Sequence, residues 1–220
     1  MDFSVLLSLV GTATWQTLVM VFVSTVFSLV LGLPLGILLC VTDPVTGIMP
    51  KAVLNQVLTR IVNALRSFPF IILMILLFPL SRIIVGTSIG TSATIVPLSI
   101  AAAPFVARII ETALKEVDPG VVQAARAMGS TNFQIIAKVL LPESLPSLVS
   151  GVTLTIINLI GYSAMAGAIG GGGLGDLAIR YGYQRFRPEV MVAAVIVILV
   201  LVEAIQFAGS KLSAVLLARR

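Results

Sequence analysis

Residues 3–42 hold forty positions in succession without one charged side chain. Roughly 20 apolar residues cross a hydrocarbon core about 30 Å thick, each adding about 1.5 Å of helix. A soluble domain carries about a quarter of its residues as charges and leaves no such run. Forty residues exceed one crossing, so we expect a short interfacial lead-in and then a helix starting near Thr14. The whole chain follows suit, with 58% hydrophobic and 10% charged residues among 220 and a mean hydropathy of +1.13. Its apolar runs allow five transmembrane helices and leave no room for a separate soluble domain. The expectation is one all-α integral membrane domain over residues 1–220.

Composition also excludes much chemistry. There is no His, and the one Cys, Cys40, lies inside an apolar run. Disulfides, Cys/His metal sites and the usual nucleophilic triads are therefore out of reach, and no catalytic or metal-binding residue is expected. The sequence pI near 9.9 suggests nucleic acid, but the basic residues stand near span ends, where membrane orientation accounts for them better. Lys51 is the first positive residue, so the start lacks the basic region of a cleaved signal.

The first span contains Gly32 and Gly36 around Pro34, a small-xxx-small pair suited to close helix packing. A polar connection over 43–60 holds Pro44, Gly47 and Pro50. Spans are then expected at 61–80, with Pro69 and Pro79 inside, at 91–113, at 145–169 and at 189–209. Lys51, Arg60, Arg66, Arg108, Lys115, Arg126, Lys138, Lys211, Arg219 and Arg220 fall on one side; Arg82, Arg180, Arg185 and Arg187 fall on the other. The positive-inside bias places the richer side and the C-terminus in the cytoplasm and the N-terminus outside. An odd number of spans rules out an inverted repeat within one chain, so a pathway forms more readily across a homodimer axis.

The run Gly167-Ala-Ile-Gly-Gly-Gly-Gly-Leu-Gly175 resembles a phosphate loop only in its glycines. No Lys lies between Lys138 and Lys211 to hold a phosphate, so any ATP site belongs to another chain. The run reads as a flexible exit from span four, where backbones pack closely or bend. Glu203, with Gln206 nearby, puts a charge into span five at a cost of about 3 kcal/mol. It reads either as a proton or substrate site or, preferably, as a carboxylate that faces protein and finds a partner there. No second acid within another span is expected to build a relay with it. In span four, Tyr162, Ser163 and Met165 interrupt the aliphatic sequence and are candidates to line or gate a pathway, beside the plainer reading of helix packing.

Residues 116–147 form a polar, amphipathic island between two apolar segments. Asp118-Pro119 reads as an N-cap with Pro at the first helical position. A short helix follows with Val122, Ala125 and Met128 on one face; Gly129 closes it in the left-handed conformation, and Ser130 caps a second helix. That helix presents Phe133, Ile136, Val139 and Leu140 on its apolar side and stops at Pro142. Ala124 and Ala125 leave a face low enough for a partner's groove. An amphipathic helix lying on lipid fits the same pattern.

The pattern Gln123-Ala124-Ala125-x3-Gly129-x9-Val139-x-Leu141-Pro142 resembles the EAA loop of ABC importer permeases, Glu-Ala-Ala-x3-Gly-x9-Ile-x-Leu-Pro, with Gln123 in place of Glu and Val139 in place of Ile. RSFPFIIL (66–73), VGTSIG (85–90), IVPLSIAAAPFVAR (95–108), RAMGSTNFQIIAKVLLPESLPSL (126–148), GYSAMAGAIGGGGLG (161–175) and IQFAG (205–209) are similar to the methionine-type permeases of ABC uptake systems. The resemblance implies a homodimer of five-span subunits in a bacterial cytoplasmic membrane. Two ATPase subunits, which bind ATP and magnesium, would dock on a cytoplasmic coupling loop at about 116–142. A substrate-binding lipoprotein would deliver methionine from outside. It also implies coupling roles for Gln123, Ala124, Ala125, Gly129, Leu141 and Pro142, and a pathway role near Ser163 and Met165. A permease for another amino acid or an osmolyte shares the loop. A membrane-embedded enzyme, a channel or a lipid-bound scaffold fits the residues less well.

Overall fold

Backbone N–H and C=O groups in hydrocarbon find partners only within the chain, which favours helices. The computed structural model describes residues 3–218, and the regular elements among them are helices. In order these are α1 (Phe3–Val41), α2 (Ala52–Ser67), α3 (Phe70–Val85), α4 (Thr91–Lys115), α5 (Pro119–Ala127), α6 (Asn132–Ile135), α7 (Leu141–Gly167), α8 (Gly173–Leu177) and α9 (Pro188–Leu217). Wide π-helical turns at Ile136–Leu140 and Ala178–Tyr183 follow α6 and α8. Four helical segments are long and apolar enough to cross a membrane: Ser4–Val41, Thr91–Lys115, Asn132–Gly167 and Pro188–Leu217. The α2–α3 pair adds a fifth if its two parts form one broken span. Arg219 and Arg220, counted toward the orientation above, lie outside the described residues.

Three expectations about helix limits need correction. The first helix has no separate lead-in: α1 runs unbroken for 39 residues, about 58 Å at 1.5 Å per residue. Nothing in residues 3–13 stops a helix. The second span is not a single helix over 61–80. α2 begins at Ala52, inside the stretch that reads as a polar connection, and α3 leaves it at 103° after Ser67. The ring of Pro69 disfavours the helical conformation at Phe68, and Pro69 itself becomes the N-cap of α3. Pro142 does not end the second loop helix. The chain passes from α6 through the π-turn into α7, and the Leu141 N–H donates to the carbonyl of Ile136, five residues back. This wider bonding carries the helix into a proline that donates no hydrogen bond of its own.

The chain divides into two compact units. The first comprises the chain up to Ser28, Phe68–Ala102 and Thr155–Phe207. Met20, Val21, Leu98, Ala102, Leu159 and Ile160 form one core in it. Ala13, Leu174, Leu177, Val190 and Ala194 form another. The glycine run is held closely here: the Gly173 N–H donates to Gln16 Oε1 and the Leu174 N–H to Thr17 Oγ1, both at 2.9 Å. The second unit comprises Leu29–Ser67, Ala103–Leu154 and the chain from Ala208. Cys40, Val106, Ile110, Leu114, Ala125, Ile135 and Leu140 make its main core.

Gly32 and Gly36 act as the small-xxx-small reading expects. A Cβ on Gly32 would stand 2.6 Å from Val106, and one on Gly36 would stand 2.6 Å from the carbonyl oxygen of Ala107. Gly36→Ala forces α1 away from α4 at a cost of about 1–3 kcal/mol and lowers the melting temperature of the detergent-solubilised protein. Gly11→Ala, where no atom lies within 4 Å, is neutral or slightly stabilising in the same measurement.

Candidate functional site

The polar island folds as helix, glycine, helix. The Asp118 side chain accepts from the Gly120 N–H at 2.7 Å, with Pro119 in the first turn of α5. Gly129, at φ +80°, reverses the chain. Its N–H donates to the Arg126 carbonyl at 2.9 Å, and the Ser130 N–H donates to the Ala125 carbonyl at 3.1 Å. These two bonds make a Schellman closure, which satisfies carbonyls that a helix end leaves open. The cap of α6 is Thr131 rather than Ser130: the Gln134 N–H donates to Thr131 Oγ1, and the Thr131 N–H donates to Gln134 Oε1 at 2.8 Å. The Thr-x-x-Gln spacing of this capping box was available in the sequence.

The expected apolar faces hold at Val122, Ala125, Ile136, Val139 and Leu140 and fail at Met128 and Phe133. Ala125 and Ile135 are buried in the core with Leu140, while Val122, Ile136, Val139 and Leu141 pack against it. Ala125 therefore faces inward and is not part of a partner surface. Met128 and Phe133 face outward, 79% and 77% exposed, from either side of Gly129. Gln123, Ala124, Gly129 and Pro142 share this exposed character.

α4 carries a charged cluster that a residue-by-residue reading passes over. Glu111 is only 5% exposed, lies within the third apolar segment and corrects the expectation of no acid in another span. Arg108 Nη1 reaches its Oε2 at 2.6 Å and Lys115 Nζ its Oε1 at 2.8 Å. The spacing Arg108, Glu111, Lys115 puts all three on one helix face, a signal present in the sequence. Lys115 also meets Asp43 Oδ2 at 2.7 Å. This hydrogen bond, aided by N–H donors of Thr46 and Val45, holds the Asp43 carboxyl well below the usual carboxylate range.

Tyr162, Ser163 and Met165 do not converge. Tyr162 stacks on Phe70 with ring centroids 4.5 Å apart. Ser163 is buried and donates to the carbonyl of Ile160 in its own helix. Met165 is half exposed. Glu203 is exposed on α9 and has no ion pair among the described residues. Among the described residues no three His, Cys, Asp or Glu side chains are grouped to hold a metal ion.

Two outcomes follow from this geometry. Gly129→Ala leaves the space around the residue open but costs about 1–2 kcal/mol of backbone strain; it speeds amide exchange in residues 126–132, and Gly129→Asn does so less. Because the Asp43 carboxyl is depressed, its ion pair contributes fully above the unfolded value of about 4 and is lost as pH falls through the lower folded value. The melting-temperature difference between the unmodified chain and Asp43→Asn accordingly stays level from about pH 8 to about pH 5 and shrinks below about pH 4.

Residues 32–209 match the family model described as "Binding-protein-dependent transport system inner membrane component". The probable D-methionine transport system permease protein of Vibrio cholerae is 52% identical over 201 residues, 91% of this chain and 89% of that protein. The D-methionine transport system permease protein of Escherichia coli strain K12 is 55% identical over 153 residues, 70% of each. In structure, the chain resembles one from the inward-facing MetNI methionine ABC transporter, with a TM-score of 0.95, 48% identity and coverage of 98% of this chain and 99% of the other. An amino acid ABC transporter at 21% identity and a TM-score of 0.72 shares the fold. With most of its length inside the family model and relatives of this identity, the chain belongs to the inner membrane components of binding-protein-dependent transport systems.

Proposed function

We propose that the chain is the permease subunit of an ATP-driven importer that moves methionine across a bacterial cytoplasmic membrane. It works as a homodimer of five-span subunits, N-terminus outside and C-terminus inside, with two copies of a separate ATPase subunit and a substrate-binding lipoprotein. The observation that carries this reading is the loop between α4 and α7. It is folded and capped on its own residues, packed inward through Ala125, Ile135 and Leu140, and it leaves Met128 and Phe133 in solvent. Met128 and Phe133, exposed on either side of Gly129 on an otherwise polar element, suit a docking contact, and the relatives named above are transport permeases for D-methionine.

The loop over 116–142 serves as the coupling element in this reading. ATP and magnesium are held by the ATPase, whose closure draws the loops of the two permease subunits together. The helices then alternate between inward-facing and outward-facing states. Met128 and Phe133 anchor the ATPase, Gly129 sets the angle between the two loop helices, and Gln123 and Ala124 lie beside the contact. The missing charge at Gln123 leaves docking to apolar contact and shape. Tyr162, Ser163 and Met165 are placed along the span that leaves this loop, and Met165, half exposed in the single chain, faces the pathway.

Reconstituted vesicles holding the permease, its ATPase and the binding protein take up labelled methionine only with ATP. Flux at a comparable rate without ATP overturns the importer reading; ATP-driven uptake of a different amino acid or an osmolyte, with none of methionine, overturns the cargo. Phe133→Ala and Met128→Ala each weaken co-purification of the ATPase by about tenfold or more, the range for a central apolar anchor. Gly129→Pro abolishes it. Unchanged assembly in all three variants removes the loop from the interface.

A further inference from the structure

Residues 42–51, between α1 and α2, form a closed turn rather than a slack connection. Asp43 Oδ1 accepts from the N–H groups of Val45 and Thr46 at 2.8 and 2.9 Å. The Gly47, Met49 and Lys51 N–H groups donate to the carbonyls of Asp43, Val41 and Thr42. Any side chain at Gly47 would strike the carbonyls of Val41 and Asp43. The turn is thus fixed to the end of α1 and moves with it.

Two sets of polar contacts join this turn to other elements. Arg126 of α5 donates through Nη2 to the Ile48 carbonyl at 2.7 Å, across 78 positions of sequence. On the other side Asp43 takes Lys115 of α4, Lys115 takes Glu111, and Glu111 takes Arg108. Arg108 Nη2 donates to Asn63 Oδ1 of α2 at 3.0 Å. Asn55, one of the two buried residues of α2, donates back to the Leu39 carbonyl at the end of α1 at 2.8 Å. The chain of bonds closes on itself through α1, the turn, α4 and α2. At its centre is a buried carboxylate, which tolerates little displacement of either cation.

The turn and α5 are not in continuous contact. A cavity of about 320 Å³ opens between them, with Val45, Gly47 and Ile48 on one wall and Pro119, Val122 and Arg126 on the other. Ile48 and Val122 each pack against the shared core, but the direct polar link across the gap is Arg126 to Ile48. Displacement of α5 therefore reaches the turn through few atoms.

We propose that this turn is a second transmission arm, by which α5 moves the ends of α1 and α2 through Arg126–Ile48 and through the Asp43–Lys115–Glu111–Arg108–Asn63 chain. Resting on the importer reading above, it adds Arg126, Asp43 and Lys115 as positioning residues beyond the glycine-hinged loop. Their role is to convert motion of the loop into motion of helices, so their loss separates ATP hydrolysis from uptake. A residue that only held the fold would lower both together.

The test uses the complete transporter in vesicles, with ATP hydrolysed and methionine taken up measured in the same sample. In Arg126→Met, uptake per ATP hydrolysed by the assembled complex falls by about fivefold or more, the scale of coupling between distant sites. Arg126→Lys, which keeps a cationic donor at this position, recovers part of the ratio. Asp43→Asn keeps the turn's own acceptor for Val45 and Thr46 and loses only the charge facing Lys115; it shifts the ratio in the same direction, by less. Because Asp43 lies outside the docking loop, this variant decides the question if Arg126→Met assembles poorly. Hydrolysis and uptake falling in parallel, or an unchanged ratio in both variants, overturns the proposal. Methionine uptake by the unmodified protein without ATP overturns the importer reading itself, through a readout that does not depend on the ratio.

Discussion

Hydrocarbon offers no hydrogen-bond partner, so each interruption of a helix in a membrane chain has to be met by protein groups. That constraint explains two of the polar side chains along α1. Gln16 and Thr17 stand in an apolar helix because the N–H groups at the start of α8 have no carbonyls of their own to use, and these two side chains supply the acceptors. The Gly90 N–H likewise donates to the Gly170 carbonyl. The glycines of this run then have two separate uses. Gly170, Gly172 and Gly173 adopt positive φ, whereas a Cβ on Gly175 would collide with the backbone of Ala164. A run that resembles a phosphate loop is a tight chain reversal in which the N–H groups of Gly170, Gly171, Gly173 and Leu174 are used internally.

The same constraint governs charge. A buried carboxylate whose cation is removed destabilises a protein by about 3–5 kcal/mol, so Glu111 holds two partners on its own helix and links outward through both. Arg108 and Lys115 thereby become fixed points from which Asn63 and Asp43 are held. Ion pairs exposed to water, such as Arg187 with Glu189 at 3.7 Å, contribute little by comparison. Charge in this chain is informative where it is buried, and Glu203 shows the converse: an exposed carboxylate on an apolar helix with no ion pair among the described residues.

Local signals in the sequence were sound where one residue decides one conformation. Asp118-Pro119 capped α5, Gly129 took the left-handed conformation, and Gly32 and Gly36 mark a close approach of α1 and α4. The face assignments failed at Met128 and Phe133 because a short helix with few apolar residues has more than one candidate stripe. Helical spacing cannot tell that Ile135 lies inside and Phe133 outside, since burial depends on the position of Val106, Ile110 and Leu114, more than twenty residues away. The break after Ser67 was open to the rule that disfavours helix before proline, yet Pro79 and Pro146 sit inside helices without ending them. A proline in a membrane helix thus marks a place where the backbone needs help, and tertiary neighbours decide whether it breaks, bends or widens.

The π-turn at Ile136–Leu140 decides how the polar loop is joined to the helix that follows it. Had α6 ended at Pro142, a separate joint would stand between the loop and α7. Instead Asn132–Gly167 is continuous helix by way of the wider turn, because the Leu141 N–H reaches back five residues to Ile136 and leaves Pro142 no bond to supply. Phe133, near the start of that helix, stands 77% exposed, while Ile135 and Leu140, two and seven residues on, are buried in the core.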